Sequence, residues 1–239
     1  MFFPCLETGI QGSWIPGNAV SFSIYLVLFL LCSAVQLLAA GWEKDRLRKI
    51  SKPFCVFVLF FAALMTFPTR WALYLGLLCG MIGDIFLIFT DNKTCVGLGI
   101  LFFLCEHIFL ITEACFSFGN EIGLPLGIGL GVIAAALYVG VILTVRKVYA
   151  LKGTMLYGGS LYAVALAMDL VFQIVGVALW HLSFIYGIVG GLFFLVSDGI
   201  LTFTMFKKNF RRSDLPIMAT YLVAQLLYTI AFFAFSLGW

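Results

Sequence analysis

Long apolar runs alternate with short polar punctuation along the whole chain. The runs fall at about 20–40, 54–68, 71–90, 95–118, 124–145, 154–179, 182–206 and 217–237. Between them lie Gly41–Pro53, Pro68–Arg70, Asp91–Thr94, Gly119–Gly123, Arg146–Lys152, Trp180–His181 and Lys207–Pro216, several holding the proline, glycine or charge that ends a helix. A helix needs roughly 20 apolar residues to cross the hydrocarbon layer. The pattern therefore predicts an all-α, polytopic membrane bundle of eight transmembrane helices, with residues 1–239 forming one domain. The second run, 54–68, is the shortest.

Composition excludes the soluble alternatives. Hydrophobic residues make up 63% of the chain and charged ones only 10%, where a soluble domain carries about a quarter. No stretch is left over for a soluble catalytic domain, so any chemistry must occur in or at the bilayer. The net charge of +3 does not point to nucleic acid. Thirteen of the 14 basic residues lie in the first, third, fifth and seventh connections: Lys44, Arg46, Arg48, Lys49, Lys52, Lys93, Arg146, Lys147, Lys152, Lys207, Lys208, Arg211 and Arg212. Only Arg70 falls in an even-numbered one. The positive-inside rule then predicts cytoplasmic basic loops with both termini on the opposite side. The seven cysteines form no CxxC pair and read as small hydrophobes. Phe2, Phe3, Trp14 and Pro16 read as an interfacial lead-in, without the basic start of a cleaved signal peptide.

The third and seventh runs echo each other. The stretch from Gly76 through Asp84 to Phe89 aligns without gaps on Gly190 through Asp198 to Phe203, with a small residue before each aspartate. Chance among apolar helices is one reading. The other is a 4+4 parallel internal repeat, whose axis would lie along the membrane normal because each unit has an even number of spans. Either way two aspartates sit at similar depth.

Six ionisable residues fall inside runs: Asp84, Glu106, His107, Glu113, Asp169 and Asp198. Each costs about 2.5–3.5 kcal/mol at a helix centre, so such groups usually face a cavity or a partner. At 1.5 Å per residue, Asp84 lies roughly 10 Å and Asp198 roughly 13 Å from the cytoplasmic ends of their helices. His107 falls near mid-membrane, with Tyr221 and Gln225 on one face of the last helix in its cytoplasmic half. These groups could meet in one pocket, with Asp169 and Glu113 further toward the outer side. Two nearby carboxyls in a low-dielectric chamber do not both ionise readily, so one can serve as general acid and the other as general base. No GxSxG elbow or HExxH motif is present. A single intramembrane histidine is also few for a zinc hydrolase. The residues thus predict no metal and no cofactor.

At these residues the chain resembles the YhhN-like lysoplasmalogenase family of membrane proteins. The stretches that carry the resemblance are Lys52-Pro53, Gly83-Asp84-Ile85-Phe86-Leu87-Ile88, and His107 following Leu101-Phe102-Phe103-Leu104. Gly191 to Asp198, and Tyr221 to Gln225, complete the set. The resemblance implies hydrolysis of the vinyl ether bond of lysoplasmalogens, releasing a fatty aldehyde and a glycerophospho-base. The implied partners are a lysophospholipid substrate and membrane lipids. Asp84 and Asp198 would be the catalytic pair. His107, Tyr221 and Gln225 would position water or hold a proton, with Glu106, Ser197 and Tyr157 in supporting or substrate-binding places. Lys207 and Lys208 would draw the lipid phosphate, unless they are plain positive-inside charge. A proton-coupled transporter of small molecules or lipids is the competing reading, since paired membrane carboxylates and duplicated bundles suit transport too.

Overall fold

A computed structural model describes residues 16–118 and 123–237. Phe2, Phe3, Cys5 and Trp14 lie outside the described residues, as does most of the Gly119–Gly123 connection. The described residues form eight α-helices and no strand: α1 Pro16–Gly41, α2 Asp45–Thr66, α3 Trp71–Phe86, α4 Lys93–Phe118, α5 Leu124–Tyr149, α6 Gly153–Leu179, α7 Phe184–Phe206 and α8 Asp214–Leu237. Seven of them are long and apolar enough to cross a membrane. The protein is a multi-pass integral membrane protein.

The second and third helices depart from the sequence reading. The segment expected to be shortest has 22 residues, because the basic stretch Asp45–Lys52, read as a loop, is the start of α2. Pro53 lies inside that helix, in its third turn. The short helix is α3, with 16 residues, a rise of about 24 Å. It stops early because its last turn tightens. The amides of Ile88 and Phe89 reach back only three residues, to the carbonyls of Ile85 and Phe86, at 3.2 and 3.1 Å. The chain then turns into α4, where Oδ1 of Asn92 accepts from the Thr94 amide at 2.9 Å and caps the helix start. Asp84 is thereby left in the final turn of α3.

The odd-numbered connections gather at one end of the bundle. Glu43 after α1 pairs with Arg211 and Arg212 before α8, at 3.4 and 3.9 Å. Arg48 of α2 pairs with Asp45 at 3.2 Å and, closely, with Asp214 of α8. Tyr149 at the end of α5 packs on Phe206 at the end of α7. At the other end Arg70 binds Glu113 and Ser117, each at 2.9 Å, and lies over the Phe235 ring. Glu113 is thus a brace for the α2–α3 connection.

Glycines set the closest approaches. A Cβ on Gly76 would stand 3.3 Å from the Glu106 carbonyl of α4, and one on Gly190 would stand 3.2 Å from the Ala224 carbonyl of α8. These are the aligned glycines of the two echoing stretches. Backbone cannot yield as a side-chain tip can, so Gly190→Val is expected to push α7 off α8. The expected loss is about 1–3 kcal/mol, read as a lower unfolding midpoint in detergent; an unchanged midpoint would mean the contact is not tight. Packing elsewhere is looser. Leu130 is the buried residue of α5, which leans chiefly on α6. The six described cysteines are all free.

Candidate active site

Asp84 is buried at the foot of α3, where the helix dipole presents its negative end and opposes a carboxylate. Two groups offset that. The Lys52 ammonium on α2 lies 3.0 Å from Oδ1, and the Tyr221 hydroxyl on α8 donates to Oδ2 at 2.8 Å. Lys52 can reach because α2 begins at Asp45, which places it one helical turn beyond Arg48 and inside the bundle. Its side chain is only 18% exposed.

From Tyr221 the polar groups continue inward. Gln225, one turn further along α8, has its amide nitrogen 3.1 Å from the Tyr221 hydroxyl and 2.5 Å from Oε1 of Glu106 on α4. Gly80 of α3 makes room for that carboxylate, since a Cβ there would stand 2.6 Å from it. Asp198 of α7 is only partly buried, and Oδ2 accepts a short hydrogen bond from the Tyr162 hydroxyl of α6. Asp84 and Asp198 line one cavity of about 290 Å³, together with Lys52, Tyr162, Ser197 and Tyr221. The remaining lining is mostly apolar side chains of α4 to α8.

A second polar group sits beside the cavity. His107 of α4 meets Oδ2 of Asp169 on α6 at 3.0 Å, and Gln173 donates to Oδ1 of the same carboxylate at 3.1 Å. The Tyr228 ring packs edge-on to the same histidine, with centroids 6.4 Å apart. Phe194 turns its ring edge-on between His107 and Tyr221, with centroids at 4.8 and 5.5 Å. Asp169 therefore joins the interior, because α6 packs against α4 and carries it onto the histidine. Depth along its helix alone predicts a place nearer the outer side.

Three sequence-based assignments land elsewhere. Tyr157 is 58% exposed and lines a separate surface pocket with Arg146 and Lys152. Tyr162, five residues later and about 140° round the helix, faces Asp198 instead. Lys207 and Lys208 border neither the chamber nor the polar space beneath it, and Lys207 lies 6.0 Å above the Tyr149 ring. Ser197 does line the chamber, but its hydroxyl is given to the Ile217 carbonyl at 3.0 Å. Lys52-Pro53 is among the stretches that carry the resemblance, but neither the contact of Lys52 with Asp84 nor that of Tyr162 with Asp198 is read from the sequence. The one available signal was Lys52 itself, a lysine next to the proline that opens an apolar run. Among the described residues no three His, Cys, Asp or Glu side chains converge as they would around a metal ion.

The cavity can do acid–base chemistry. One carboxyl touches a cation and the other touches only a phenol, and both open onto the same mostly apolar space. If the Tyr162 bond matters to that chemistry, Tyr162→Phe should lower turnover by about tenfold, the upper end of what one uncharged hydrogen bond contributes. Tyr157→Phe should leave turnover unchanged, and equal effects in the two variants would place the phenolic partner wrongly.

A model of the YhhN family matches residues 47–232. Lysoplasmalogenase TMEM86A of Homo sapiens and lysoplasmalogenase TMEM86A of Bos taurus are each 28% identical over 222 residues, which covers 87% of this chain and 83% of theirs. No solved structure matches.

Proposed function

The chain belongs to the YhhN family, and from that premise we propose that it is a membrane-embedded hydrolase that cleaves the vinyl ether bond of lysoplasmalogens. Both relatives carry the name of that activity. The observation that carries the reading is the unequal pair of aspartates on one chamber, Asp84 held by Lys52 and Asp198 held by Tyr162.

The inequality supports different roles for the two acids. Asp84, with an ammonium at 3.0 Å, is the ionised partner and acts as general base. Asp198, without a cation in contact, carries a proton on the oxygen that Tyr162 does not occupy and acts as general acid. Vinyl ether cleavage begins when Asp198 protonates the β-carbon, leaving an oxocarbenium ion at the ether-bearing carbon. Asp84 takes a proton from water as the oxygen adds to that carbon, giving a hemiacetal. The hemiacetal hydroxyl returns its proton to Asp198, while Asp84 protonates the departing glycerol oxygen. Water and vinyl ether have then become aldehyde and alcohol, and both carboxyls are as they began. Glycosidases place two carboxyls around a similar cation. No cofactor is consumed.

Glu106 and Gln225 extend the polar chain behind Asp84, and the His107–Asp169 pair holds the neighbouring wall. A duplicated four-helix unit would explain why one acid comes from each half, since Gly76 with Asp84 and Gly190 with Asp198 then occupy equivalent places on α3 and α7.

The direct test is aldehyde release by the purified protein from an alkenyl lysophospholipid, with the ester-linked analogue as control. Aldehyde from the first substrate and no product from the second is the expected result. A preparation that binds the alkenyl lipid and releases no aldehyde would reject the hydrolase and favour transport.

A further inference from the structure

Lys52 lies on the wall of two adjoining spaces. One is the chamber of Asp84 and Asp198. The other is a polar vestibule of about 400 Å³ at the basic end of the bundle, formed between α1, α2, the α3–α4 turn, α7 and the start of α8. Leu87, Met205 and Met218 also border both. A molecule reaching from one space to the other would pass Lys52 at the join.

The charges of the vestibule are mostly committed. Arg48 is held by Asp45 and Asp214, and Lys52 by Asp84. Lys49, one residue after Arg48 on α2, is exposed to the vestibule and has no ion-pair partner among the described residues. Asp91 carries a carboxylate that is likewise unpaired among them.

Gln36 of α1 supplies the second observation. Its side chain is 0% exposed and lines the vestibule. Its Oε1 faces the Ser51 hydroxyl, which also lies 2.8 Å from the Leu47 carbonyl, and its Nε2 is buried with no partner. A buried donor left unmet is costly, and an amide nitrogen has two hydrogens to place. Ser213 donates to Oδ1 of Asn209 at 2.8 Å on the opposite elements, so the Asn209 amide nitrogen is also free to donate. A free cation and two amide donors on one polar space next to a mostly apolar one describe a site for an anionic oxygen group.

We propose that the vestibule is the headgroup subsite for the lipid, binding its phosphodiester through Lys49 and the amide nitrogen of Gln36 while the ether-linked chain lies in the Asp84–Asp198 chamber. This rests on the lipid-hydrolase reading above and adds to it the place of the substrate's polar half. The vinyl ether joins glycerol to the chain, so this placement sets it beside Lys52, between the two spaces. Asp91 suits a headgroup that carries an amine beyond its phosphate. The assignment moves the phosphate contact from the start of the α7–α8 connection, where Lys207 and Lys208 sit, to α1 and α2.

Binding to the full-length protein in detergent tests the assignment without turnover. The probes are a saturated-ether lysophosphocholine, which has no vinyl ether to cleave, and the alkylglycerol of the same chain, which has no phosphate. Lys49→Glu is expected to weaken the lysophosphocholine about tenfold and the alkylglycerol less than twofold, as loss of a charge-assisted contact predicts. Lys49 is exposed, so this variant should fold; Gln36→Leu should act in the same direction. Equal changes for both lipids, or none for either, would overturn the subsite. Saturable binding of inorganic phosphate or glycerophosphocholine, as tight as the lipid and equally dependent on Lys49, would make it a site for soluble phosphate instead. Lys49-dependent lipid binding without aldehyde release would reject the hydrolase and keep the subsite. Aldehyde release with binding indifferent to Lys49 would do the reverse.

Discussion

Asp198→Asn is expected to lower kcat for vinyl ether cleavage by about a thousandfold while KM stays within a few fold. The size follows from what the substitution removes. Asparagine has nearly the shape of aspartate, and its carbonyl oxygen can still accept the Tyr162 hydrogen bond that Asp198 accepts. The chamber wall and the α6–α7 packing are therefore preserved. What is lost, on the proposed mechanism, is the proton that must reach the β-carbon, and positioned general acids contribute about 10²–10⁴-fold. Asp84→Asn should cost as much, although it also strips Lys52 of its counter-ion and so should lower stability where Asp198→Asn does not. The two losses should not multiply in the double variant, because both carboxyls serve one proton cycle. Aldehyde release measured over a range of substrate concentrations separates kcat from KM. If either single variant keeps turnover within tenfold of the native protein, the two-aspartate mechanism is wrong.

The interior polar residues are legible in the sequence because a charge or amide in an apolar run stands out. Asp84, Glu106, His107 and Gln225 are all buried inside the bundle, as the insertion cost of such groups demands. Their partners are harder to read. Lys52 looks like loop charge because a window of apolar residues begins only after Pro53, whereas helix α2 begins eight residues before it, at Asp45. Hydropathy finds the part of a helix that meets hydrocarbon and overlooks an amphipathic first two turns. Tyr157 and Tyr162 present the same letter on the same helix. Only the packing of α6 against α4 and α7 decides which hydroxyl turns inward. Asp169 fails for a related reason, since depth along an isolated helix says nothing about which neighbour the helix carries it to. The early end of α3 depends on backbone bonds closing three residues apart, which no residue preference in Leu87–Thr90 announces.

Lys52 offers the sharpest separation of structural from chemical roles. Lys52→Met keeps much of the side chain's length and removes the ammonium, so Asp84 loses the cation at 3.0 Å that favours its ionised form. The base of the mechanism is then absent in most molecules, and kcat should fall about a hundredfold. Substrate contacts with the apolar chamber are unchanged, so KM should move little, whereas a collapse of the cavity would raise it. Stability should also drop, by about 2 kcal/mol, because one partner of a largely buried pair is left behind. Adding Asp84→Asn removes that orphaned carboxyl, so the double variant should recover most of the lost stability and none of the activity. Lys52→Arg, which keeps the positive charge, should restore a large part of kcat. Recovery of turnover together with stability in the double variant would show that Lys52 serves only to hold α2 against α3, and would leave Asp84 without a reason to be the base.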